Sequence, residues 1–166
     1  MRQAVGISQS VDAVAAHPLA ELLACPPETG SLLAASALSI PFEPGEIVFA
    51  QGSPCRGLYL VVAGQLLRRA ERMDKRVTLG SARPGDLVEL AAALGDRLHT
   101  YSLAAQTPGS LLLLPFEPLH QAFQSYPPMR MRLLEELARE VSRAYRNCAV
   151  SFRVRKRRSS GHAAAN

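Results

Sequence analysis

The chain holds no tryptophan, and aromatic residues make up only 5% of its 166 positions. Stacking platforms for single-stranded nucleic acid need such rings, so that class is set aside. Cysteine is scarce as well: Cys25, Cys55 and Cys148 are far apart and odd in number. They make neither a CxxC metal site nor a paired disulfide framework, and read as reduced thiols in a cytoplasmic protein. Long apolar runs are missing. The stretch Leu111 to Phe116 is far shorter than the ~20 residues of a membrane span, and no apolar segment with a basic flank marks a signal peptide. The histidines His17, His99, His120 and His162 are scattered, without the close spacing a metal-binding barrel requires. There is no GxSxG and no P-loop. The paired carboxylates Glu135 and Glu136 fall on a helical stretch as solvated surface. This inventory leaves no expected enzyme active site, metal centre or membrane anchor.

What is present is one domain's worth of chain, nearly half of it hydrophobic, enough to build its own core. The formal net charge of +5 is concentrated late, in Arg153, Arg155, Lys156, Arg157 and Arg158. The excess therefore describes a tail rather than a basic face.

Residues 1–37 read as a helical lead-in. His17-Pro18 marks a break, Leu19, Leu22 and Leu23 give a short apolar face, and Pro26-Pro27 stops it before a second helix over Glu28 to Ala37. From Leu38 the character changes to short strand-like runs separated by Gly and Pro: Leu38 to Phe42, Ile47 to Phe49, Leu58 to Val62, Gln65 to Glu71, Val77 to Leu79, Thr100 to Gln106 and Ser110 to Leu114. Met73 to Arg76 reads as a polar connection, and Leu87 to Leu94 as one helix stopped at Gly95-Asp96. Short strands at even spacing predict a barrel or jelly roll. The all-apolar run Ser110 to Leu114 predicts a strand buried on both faces.

After Pro115 the period becomes helical. Phe116, Leu119 and Phe123 share one face of a short helix ended by Tyr126-Pro127-Pro128, and a second helix runs from Met129 to about Cys148. Its stripe of Leu134, Leu137, Val141, Ala144 and Cys148 spans about two heptads and predicts a two-helix dimer seam, against the alternative of a helix packed back on its own barrel. Residues 151–166 are basic, then small and polar, and read as a disordered tail.

Several residues stand in the order of a known family. Pro44-Gly45-Glu46, Ile47 and Gly52 resemble a first hairpin, and Leu58-Tyr59-Leu60-Val61 with Gly64 the next strand and turn. Pro84-Gly85-Asp86 and Glu89 resemble the approach to a phosphate-binding cassette, and Tyr126-Pro127 the break before a long helix. Together they resemble the cyclic-nucleotide-binding domain, in the branch of bacterial catabolite-activator and fumarate–nitrate regulators, over residues 38–148. The resemblance implies an α+β fold: a double-stranded antiparallel β jelly-roll barrel over 38–150 with N-terminal helices and a long C-terminal helix. It also implies a role as a regulatory sensor, in signal transduction or transcription regulation, working as a homodimer.

The same resemblance assigns a site. In relatives that bind the ligand, a Gly precedes a short helix whose N–H groups meet the cyclic phosphate. A Glu holds the ribose, an Arg neutralises the phosphate, and a Ser or Thr bonds it. Aligned without gaps, these fall on Val88, Glu89, His99 and Thr100, and the base-reading pair falls on Ala144 and Tyr145. The Arg is the largest loss, because its fork is always charged and grips an oxyanion bidentately, whereas an ordinary histidine, with pKa about 6.5, is mostly neutral at pH 7. Arg97, two residues from His99, is the substitute on offer. The cassette therefore reads as degenerate, with cyclic nucleotide not expected to bind tightly as a cofactor. An iron–sulfur cluster of the kind some relatives carry needs four cysteines, and only Cys25 lies near the N-terminus. The family's DNA-binding module has no counterpart in residues 151–166. The alternative reading is a regulator-like protein that touches nucleic acid weakly through Arg153, Arg155, Lys156, Arg157 and Arg158, neutralising phosphates without reading sequence.

Overall fold

The structure, a computed structural model, describes residues 12–160, with side chains from 18 to 146. Two helices, α1 (Asp12–Leu23) and α2 (Pro27–Ser36), precede the strands β1 (Leu38–Phe42), β2 (Ile47–Phe49), β3 (Gly57–Ala63), β4 (Leu66–Arg72), β5 (Lys75–Ala82) and β6 (Leu87–Val88). The short helix α3 (Leu90–Leu94) follows, then β7 (Ser102–Ala105), β8 (Gly109–Pro115), α4 (Phe116–Ser125) and α5 (Pro127–Ser160). The strands make two four-stranded sheets, ordered β1-β8-β3-β6 and β2-β7-β4-β5, with antiparallel pairing throughout. This is the jelly-roll arrangement expected from the spacing of the short strands.

The first sheet is apolar on both faces because two cores use it. Tyr59 and Val61 of β3, with Leu111 and Leu113 of β8, point between the sheets and join Phe42, Phe49, Leu66, Tyr101 and Leu103. The alternate residues Leu58, Leu112 and Leu114 point outward into a second core with Leu19, Leu23, Leu33, Leu119, Met129 and Leu133 from the helices. The period of two along a strand thus accounts for the unbroken leucines of β8. Close approach of strands explains Gly57: a Cβ there would overlap the Leu114 carbonyl across the ladder.

Several boundaries differ from the sequence reading. His17-Pro18 does not break the chain, because α1 runs from Asp12 through Pro18. Burial of Leu19, Ala20 and Leu23 holds the turn that follows. The polar connection at 73–76 contracts to two residues, Met73 and Asp74, both at positive φ (50° and 59°), so β4 and β5 form a tight hairpin. The segment 87–94 is not one helix. Leu87 and Val88 pair with Leu60 and Tyr59 as strand, and the helix starts only at Leu90. At the other end α5 continues to Ser160 instead of stopping near Cys148, so the helix includes residues 151–160 of the segment read as a disordered tail. Side chains beyond 146 and residues 161–166 lie outside what is described.

Candidate functional site

The region assigned to the cassette is built where β6 turns into α3. Val88 is 1% exposed and packs into the inter-sheet core, so its side chain fills the place where a glycine would leave backbone open. Glu89 then takes φ 69°, ψ 32°, a left-handed conformation uncommon for a residue with a side chain. Its N–H donates to the Tyr101 hydroxyl at 3.1 Å, which ties the start of α3 to the next strand. Glu89 makes no cap to its own helix. Its carboxylate instead accepts from the Thr100 N–H at 3.2 and 3.4 Å and from Thr100 Oγ1 at 3.4 Å.

His99 closes the same point from the other side. Its ring stacks on Phe49 with centroids 3.8 Å apart and planes 8° from parallel, and it lies 5.8 Å from Tyr59. His99 Nδ1 stands 3.5 Å from Glu89 Oε1 without the alignment of a hydrogen bond, and is otherwise unpartnered. The side chains of His99 and Glu89 are 2% and 0% exposed. His99 is therefore a core residue and not a partly exposed one.

Of the residues assigned to the site, Glu89, His99 and Thr100 meet, with Val88 just behind them. Arg97 does not join them. It is exposed, at φ 62°, and its guanidinium lies over the Phe116 ring, 4.5 Å from the centroid, at the start of α4. The seam residues divide. Leu137 packs against the chain's own second core, Leu134 is half-buried, and Val141 and Ala144 are exposed, Val141 at 58%. Cys148 lies outside the described side chains.

Three residues at this place were not singled out from the sequence. Phe49 and Tyr101 read only as strand aromatics, though their separation of about 50 positions hides a shared contact. Tyr101 lies 6.1 Å from Phe49, and burial, then the Glu89 charge, pushes its phenol well above the usual range. Arg68 was visible only as a charge two residues after Leu66, which alternation puts on the same face. Its guanidinium lies 5.9 Å from the Tyr101 centroid. Among the described residues no group of three or more His, Cys, Asp or Glu is placed to hold a metal ion, and no helix is long and apolar enough to cross a membrane.

A barrel of two antiparallel sheets, with a short helix after β6 and a long helix after β8, is the architecture that the comparisons match. Residues 39–126, just over half of the chain, match the cyclic nucleotide-binding domain, and the chain belongs to that family. It is 30% identical over 105 residues to the transcriptional activator protein anr of Pseudomonas aeruginosa, covering 61% of this chain. The chain spans 41% of that relative's length. Among solved structures, the sensor domain of the transcriptional regulator DNR from Pseudomonas aeruginosa superposes with a TM-score of 0.65 at 20% identity, over 78% of this chain and 87% of that one. The c-di-GMP responsive global regulator CLP of Xanthomonas campestris gives 0.61 at 25% identity, over 74% of this chain and 62% of that one. The catabolite activator protein of Thermus thermophilus gives 0.61 at 22% identity, over 79% and 60%. The matched relatives are regulators, and the shared part is a sensor domain.

Proposed function

We propose that this cyclic nucleotide-binding sensor domain is regulatory, dimeric through α5, and has a cassette that no longer grips a cyclic mononucleotide. The carrying observation is the closure of the cassette on itself. Glu89 bonds Thr100, His99 stacks on Phe49, and Val88 fills the core. A ribose hydroxyl would have to displace the Thr100 N–H from Glu89, and Arg97, the substitute for the missing arginine, lies on Phe116 instead of at the place of the phosphate. Replacing a charged phosphate contact by a stacked ring forfeits about 1.5–3 kcal/mol, or roughly ten- to a hundredfold in affinity. That a related regulator is described as responding to c-di-GMP supports a changed ligand within this fold.

Calorimetry with cyclic AMP at pH 7 tests the cassette. Binding weaker than micromolar is expected, and submicromolar affinity overturns the reading. The exposed Val141 and Ala144, one and two turns beyond the buried part of α5, support the dimer. Sedimentation at tens of micromolar should show two copies, and a monomer there would remove that half of the proposal.

A further inference from the structure

The end of the β4–β5 hairpin reaches past the rest of its sheet. β7 pairs with β4 only as far as Arg69, opposite Ser102, so residues 70–77 form a ribbon of two strands. Such a ribbon is marginal alone, and a third strand or a packed face is what secures it. On the β4 side a side chain stands in at one point, where Gln51 Oε1 accepts from the Glu71 N–H at 2.7 Å. On the other side no strand follows, because β5 is the edge of its sheet. The two-residue turn at Met73-Asp74 makes Arg72 and Lys75 the closing hydrogen-bonded pair. By alternation, the N–H and C=O of Arg76 and Thr78 then point away from β4 toward the open edge. Lys75 through Leu79 are all exposed. The two faces of the ribbon differ: Arg69, Arg76 and Thr78 share one, and Arg72, Lys75 and Val77 the other. Val77 is 45% exposed, and Leu79, the extra residue of the bulge, 53%. Residues 68–78 carry five cations against two carboxylates. Glu71 answers Arg76 at 3.3 Å, whereas Arg69, Arg72 and Lys75 form no ion pair among the described residues.

We propose that the open edge of β5, at residues 75–79, takes an acidic, extended segment of a partner protein as a third strand of the ribbon. This goes beyond the proposed function and rests on neither the cassette nor the dimer. Cations on an edge strand ordinarily keep other strands off it. Here they choose the occupant. A second copy of this chain is disfavoured, because two such edges side by side would crowd the cations of both along one short ladder, where like charges repel. A strand with carboxylates on the face of Arg69 and Arg76, and apolar side chains on the face of Val77, meets both features at once. Its backbone completes the ladder at Arg76 and Thr78, and its side chains supply the specificity, as in other cases of strand addition. The unpaired cations gain partners, and the exposed Val77 gains cover.

The test is fluorescence anisotropy on the full chain with three labelled peptides: alternating Glu and Val, alternating Lys and Val, and the Glu–Val peptide with a central proline. The parent should bind the first and neither of the others. Thr78→Pro removes an edge N–H that β4 does not use, and should weaken Glu–Val binding about tenfold. Arg76→Glu should weaken it by about the same factor and give the Lys–Val peptide an affinity that the parent lacks. Thermal melts report which variants fold. Hydrogen exchange on the parent keeps the test standing if Thr78→Pro does not: the amides of Arg76 and Thr78 should exchange more slowly with the Glu–Val peptide bound. No saturable binding of that peptide at about 1 mM overturns the site. Equal binding of the proline-containing peptide, or exchange at Arg76 and Thr78 unchanged by bound peptide, also overturns it, since either outcome means ion pairing without strand addition.

Discussion

Replacing Glu89 by alanine separates a structural carboxylate from a ligand-holding one. The side chain is fully buried and accepts from the Thr100 N–H at 3.2 Å and from its hydroxyl at 3.4 Å. A hydrogen bond to a charged acceptor contributes about 1.5–3 kcal/mol, but these are long and Thr100 is reached by water, which argues for the low end. Deleting the buried methylene and carboxyl adds a void beside Phe49 and His99, whereas relief of a buried charge works the other way. The net expectation is a loss of about 2 kcal/mol. For a domain of this size, roughly 2–4 °C per kcal/mol, the melting temperature should fall by about 4–8 °C. Glu89→Gln keeps the shape and one acceptor oxygen and should lose about half as much. The assay is thermal unfolding followed by circular dichroism without ligand. If Glu89→Ala melts within 1 °C of the parent, the carboxylate does not hold Thr100 and the sealed-cassette argument fails with it.

Two further outcomes are expected. Val141→Asp should convert a dimer to a monomer in sedimentation while leaving the protomer's melt unchanged, because Val141 is 58% exposed and burying an unpaired charge in a seam costs several kcal/mol; a surviving dimer refutes the seam. Glu140→Gln should stabilise the fold at pH 7–8 but not near pH 4. A raised folded pKa favours the fold below the group's ordinary pKa, and that advantage is lost as pH rises through the folded value. Parallel melting curves of the two proteins across that range would show that burial does not disfavour this carboxylate.

The turns and strands were legible because local chemistry decides them. Pro44-Gly45 and Pro84-Gly85 reverse the chain with both glycines at positive φ, and the leucine run of β8 announces burial on two faces. The break inside 87–94 was not legible. Leucine and alanine there favour helix, whereas tertiary bonds from the Glu89 N–H to Tyr101 and from Thr100 to its carboxylate accompany a left-handed non-glycine residue that ends strand and starts helix within one position. The burial of His99 was hidden for a similar reason: its stacking partner, Phe49, is 50 residues away in sequence. Arg97 shows the converse. Proximity in sequence made it a substitute for the missing arginine, but positive φ and the attraction of the Phe116 ring turn it off the site.

The stripe along α5 is buried over its first part and exposed further on. Met129 and Leu133 are buried at 0% and 3%, and Leu137 still packs on the same core, so the first part of the helix belongs to its own barrel. One turn on, Val141 is 58% exposed, and at the next turn Tyr145 is 76% exposed. The sequence could not show this change, because the apolar spacing is continuous across it. Glu140, half-buried, stands next to the exposed Val141, where the helix leaves the core. In the proposed dimer, a substitution at Leu137 therefore mixes loss of the core with loss of the seam, and Val141 is the position that reports on the seam alone.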